Sequence, residues 1–129
     1  MFLTADQLLA HLVGDFLFQS DWMALGKYRS KAIALLHGVC YTLPFLFLTH
    51  RPLTLLTIGL SHAIIDHYQI GKLVAWLHNW PSPVRSKPFS ECKRNGYDPD
   101  RPVHITDWLG IIVDNSIHIF LNACALKWL

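Results

Sequence analysis

The feature that most constrains this chain is a His–Asp pair inside an apolar run. Residues 53–77 are largely apolar, yet they hold Ser61-His62-Ala63-Ile64-Ile65-Asp66-His67-Tyr68. His62 and Asp66 are four apart, so on a helix they share one face. Ionisable groups are costly in such a run unless they face a cavity, a partner or a metal. The same step recurs at His11/Asp15 and, reversed, at Asp114/His118.

The apolar segments predict an all-α integral membrane protein: a four-helix bundle with short loops and one proline-rich cytoplasmic insertion. The spans are expected at about 2–19, 32–49, 53–77 and 105–129, in a single transmembrane domain over residues 1–129. Residues 32–49 hold no Asp, Glu, Lys or Arg. Pro44 lies within them, where a kink is tolerated in membranes. Thr4 is the expected N-cap of the first helix, with Gln7 three residues on. Residues 80–104 hold Pro81, Pro83, Pro88, Pro99 and Pro102, which leaves no helical period.

Charged residues are only 16% of the chain, lean for a water-soluble domain. The formal net charge of +2 argues against nucleic acid as a partner. Cys40, Cys92 and Cys124 form no C-x-x-C and indicate neither a disulfide framework nor a zinc knuckle. The first apolar run carries Asp6, His11 and Asp15 behind no basic region, so no cleavable signal peptide is expected.

Lys27, Arg29 and Lys31, and the insertion with Arg85, Lys87, Lys93 and Arg94, fall on one side of four spans. The positive-inside rule puts both in the cytoplasm and the termini outside. Counting turns from those ends places Asp15, His37, Asp66 and Asp114 at similar depth in the cytoplasmic half.

These residues define the expected site. His11, Asp15, His37, His62, Asp66, Asp114 and His118 are the candidate metal ligands. Asp66, Asp15 and Asp114 are the candidate catalytic carboxylates. Imidazole and carboxylate together suit zinc, manganese or iron, as one ion or two. Metal ions activate water and stabilise the oxygens of a displaced phosphate. The expectation is a metal-dependent hydrolase of a phosphoester or lipid-linked substrate. Two alternatives use the same residues. One is a proton or cation relay, expected as a homo-oligomer. The other is a structural or regulatory membrane protein whose polar groups join helices. A lone intramembrane His such as His37, one turn from Tyr41, suits that last role. His50, His67 and His78 read as interfacial, and Asp107 as a helix cap.

The run His11-Leu12-Val13-Gly14-Asp15-Phe16-Leu17-Phe18-Gln19-Ser20-Asp21-Trp22-Met23 resembles the opening signature of a family of small bacterial and phage integral membrane proteins of unknown function. Leu36-His37, Tyr41-Thr42-Leu43-Pro44, His62-Ala63-Ile64-Ile65-Asp66 and Asp114-Asn115-Ser116-Ile117-His118 continue the resemblance. It implies a multi-pass protein of the bacterial inner membrane and no established activity. In pattern alone, the chain is also similar to membrane-bound metal-dependent hydrolases, which place His and Asp in short apolar helices.

Overall fold

The computed structural model describes residues 2–82 and 87–129. Pro83 and Arg85 lie outside the described residues. The described chain is helical, with no strand. It comprises two compact units, residues 1–68 with 118–129, and residues 69–117.

In the first unit, α1 is Ala5–Leu12, opened by the capping box expected at Thr4. Thr4 Oγ1 accepts from the Gln7 N–H at 3.3 Å, and Gln7 Oε1 accepts from the Thr4 N–H at 3.4 Å. The helix does not run on regularly to residue 19. Val13–Leu17 is π-helical, a wider turn that buries Gly14 and Asp15. Ser20 caps the short α2, Asp21–Gly26, and Ser30 caps α3, Lys31–Thr42. Pro44, which lacks an N–H, sits where α3 tightens into a 3-10 turn, Leu43–Phe47. The long third segment is also broken. α4, Pro52–Tyr68, ends where Gln69 adopts the left-handed conformation at φ 52°. The sequence pattern carried no breaker at Gln69.

These breaks correct the expectation of four long spans. Among the described residues, one helix is long and apolar enough to cross a membrane: α6, Val103–Trp128. The apolar stretch Lys31–Phe47 is shorter, and the 17 residues of α4 extend about 25 Å.

Two periodicities in α4 explain its packing. Thr54, Ile58, His62 and Asp66, each four apart, are buried. Leu56, Leu60 and Ile64 follow the same step on an exposed face. α3 packs Gly38 directly on Gly59 of α4, so close that a Cβ on Gly38 would meet the Gly59 carbonyl oxygen at 2.6 Å. Ala10, Tyr41, Phe45, Ile58 and Ala125 form the apolar core of this unit.

In the second unit, α5 is Ile70–Asn79. The Trp76 indole N–H donates to the Lys87 carbonyl at 3.0 Å, and Cys92 Sγ lies 3.7 Å from the same oxygen. Gly96 has φ +87° and packs against the Lys72 carbonyl and Ala75, where no side chain fits. Lys87 pairs with Asp100 at 2.6 Å, and Arg94 with Asp107 at 2.7 Å. The Asp100 backbone N–H, donating to Asp98, holds the Asp98 carboxyl below its ordinary pKa, with Lys87 adding to the effect.

Candidate metal centre

Beside its apolar core, the interior of the first unit holds an unusual concentration of polar groups. His11, His37, His62 and His118 are at most 1% exposed, and Asp15, Lys27, Thr54, Asp66 and Asn122 are also buried. Large apolar side chains face outward instead: Phe47 is 93% exposed, Leu17 75% and Leu25 73%.

Four of the buried groups converge. The π-turn brings in Asp15, α3 brings His37, and α4 brings His62 and Asp66 one turn apart. The two imidazole Nε2 atoms lie 2.9 Å apart. His62 Nε2 is 3.1 Å from Asp66 Oδ2 and 3.6 Å from Asp15 Oδ1. His37 Nε2 is 3.4 Å from each of those oxygens. A tetrahedral ion with bonds of about 2.0–2.1 Å has ligand–ligand edges of about 3.3 Å. The five distances straddle that value.

A surrounding layer of groups orients these four. Lys27 Nζ, itself buried, is 2.8 Å from Asp66 Oδ2. Burial opposes the charge on Lys27, but Asp66, with Asp15 assisting, outweighs it and raises the lysine pKa above its ordinary value. His118 Nε2 lies 3.4 Å from Asp66 Oδ1, and its Nδ1 lies 3.1 Å from His62 Nδ1. Tyr41 stacks on the His62 ring at 3.6 Å between centroids and 10° between planes. Its hydroxyl meets His11 Nδ1 at 2.7 Å and receives the Asn122 amide N–H. His37 Nδ1 is buried with no hydrogen-bond partner among the described residues.

The seven expected ligands therefore divide. Asp15, His37, His62 and Asp66 present one ligand atom each to a common point. His118 stands behind His62 and Asp66. His11 joins Tyr41 in the neighbouring hydrogen-bond network. Asp114 belongs to the second unit, where it packs against Gly71. Lys27 is the site residue that sequence reasoning missed. Its place in a basic linker suggested orientation in a membrane, and nothing local signalled an inward turn. His67, read as interfacial, makes a specific contact: its Nδ1 is 2.9 Å from the Lys27 carbonyl oxygen.

Fold and site together define an all-helical protein with a buried His/Asp cluster capable of holding a metal ion. The chain belongs to the family described as "Protein of unknown function (DUF3307)", whose model matches residues 3–97. That match contains Asp15, Lys27, His37, His62 and Asp66. No curated protein matches, and no solved structure matches.

Proposed function

We propose that this chain is a membrane-embedded metal-dependent hydrolase of the bacterial inner membrane, acting on a phosphoester or lipid-linked substrate. One divalent transition-metal ion, with zinc the first choice, is held by Asp15, His37, His62 and Asp66. The observation that carries the metal assignment is the agreement of their mutual distances with a tetrahedral coordination shell. The many exposed large apolar side chains, Phe47, Leu17 and Leu25 among them, support a lipid environment, since water-soluble monomers rarely expose wide apolar patches.

The ion, when bound, lowers the pKa of a coordinated water and draws charge from a phosphoryl oxygen. His37, His62 and Asp66, with Asp15, would hold it. Asp15 has the longest distances in the set and is the most exposed of the four, so it would be the least tightly held ligand and the carboxylate placed to accept a proton from water. Lys27, charged and beside Asp66, neutralises an incoming anionic oxygen.

The test is elemental analysis of the purified protein beside His62→Ala and Asp66→Ala, followed by phosphoester turnover. Near-stoichiometric metal in wild type, absent from both variants, is the expected result. Absence of metal after reconstitution with divalent ions refutes the proposal.

A second reading has its own supporting observation. His37, His62 and His118 form a chain through both nitrogens of His62, at 2.9 and 3.1 Å. Such a chain passes protons, and chains of this kind serve pumps and transporters. Proton flux in liposomes that stops in His62→Ala, without bound metal or hydrolysis, selects it.

A further inference from the structure

The face of α3 and α4 turned away from the metal ligands carries a crevice with a defined polarity. On α3 its rim steps through Lys31, Leu35, Val39 and Leu43, each four residues apart. On α4 it steps through Leu56, Leu60, Ile64 and Tyr68, again each four apart. All eight side chains are exposed. The floor is made of small groups, including Gly59, Ala34 and Ala63. Two cavities share Leu35 along this line, about 370 Å³ toward Leu43 and about 150 Å³ toward Lys31.

The two ends differ in chemistry. The larger cavity is lined almost wholly by Leu, Val and Pro, with Thr42. The smaller one ends in Lys31, His67 and Tyr68. Lys31 is the first residue of α3, where a cation opposes the helix dipole, so helix stability does not account for it. From Lys31 to Leu43 the crevice runs about 18 Å. One leaflet of hydrocarbon is about 15 Å thick.

We infer that this crevice binds one acyl chain of an anionic phospholipid. The chain lies along Leu35, Val39 and Leu60, and the phosphate headgroup sits at Lys31, His67 and Tyr68. This rests on the membrane reading above. An apolar slot about as long as one leaflet is thick, flanked at one end by a cation and a phenol, matches an amphiphile better than a uniformly apolar helix. The headgroup end also touches the candidate metal centre through one residue. His67 Nδ1–H donates to the Lys27 carbonyl, while the Lys27 ammonium pairs with Asp66. A bound headgroup thus lies one residue away from the cluster.

The test is native mass spectrometry of the full chain in detergent, with equimolar phosphatidylglycerol and phosphatidylcholine. Wild type is expected to retain one phosphatidylglycerol per chain, about tenfold over phosphatidylcholine. Val39→Trp, which fills the crevice from an exposed position, should lose the lipid; Leu60→Trp repeats the test if that variant fails to fold. Lys31→Gln should bind both lipids equally. Leu53→Trp, exposed on α4 but outside the crevice, should behave as wild type. Equal retention of both lipids by wild type, or undiminished binding in Val39→Trp, overturns the inference. So does a wild-type dimer that Val39→Trp dissociates, because the crevice is then a helix interface. Metal content is measured on the same samples: metal-free protein with selective lipid refutes the metal centre and leaves the lipid site standing.

Discussion

Replacing Lys27 by Met should destabilise the metal-free protein severely and the metal-loaded protein little. The cluster buries two carboxylates, Asp15 and Asp66, and Lys27 is the fixed cation among them. At 2.8 Å the Lys27–Asp66 attraction is about 6 kcal/mol with an effective dielectric constant of about 20. Part of that offsets the desolvation of both charges. Removing one partner of such a pair typically costs about 3–5 kcal/mol, because the other stays buried and uncompensated. A divalent ion held there would supply two positive charges to the same carboxylates and take over most of the role of Lys27. For a chain of this length, about 3–5 kcal/mol corresponds to a melting shift of roughly 10–20 °C. The assay is thermal unfolding of wild type and Lys27→Met in detergent, in chelator and in saturating zinc. The expected result is a large drop in chelator that zinc largely restores. Equal drops in both conditions would refute the reasoning, because the ion would then not share those carboxylates.

Further outcomes follow from the same geometry. Tyr41→Phe removes the hydroxyl that His11 and Asn122 meet; denaturation should show a loss of about 1–3 kcal/mol, with metal content unchanged. Gly38→Ala drives a methyl group into the Gly59 carbonyl and should cost about 1–3 kcal/mol, measurable as a lower melting temperature. In the second unit, Gly96→Ala combines a positive φ with contact against Lys72 and Ala75. Proteolysis should then cut between residues 87 and 102 faster than in wild type. Gln69→Val, placing a β-branched residue at φ 52°, should lower stability by about 1–2 kcal/mol, whereas Gln69→Gly should not.

The sequence by itself determined the helical class, the Thr4 capping box, and the shared face of His62 and Asp66. Apolar runs that hold His and Asp at four-residue spacing leave few alternatives to helices with one polar face. His62 and Asp66 were legible as a pair because both lie on one regular helix, α4. Tertiary structure decided which groups meet. Asp15 enters the cluster through a π-turn, and no hydrophobic period announces the extra residue per turn. His11 shares the same four-residue step with Asp15, yet it reaches Tyr41 instead. The break at Gln69 was invisible because a left-handed residue there carries no Gly or Pro marker. Lys27 was the least legible residue of all. A lysine in a basic linker looks like a solvated charge, and only the folded chain turns it inward onto Asp66. Spacing along a helix reports which side chains share a face; which faces meet depends on where the helices break and cross.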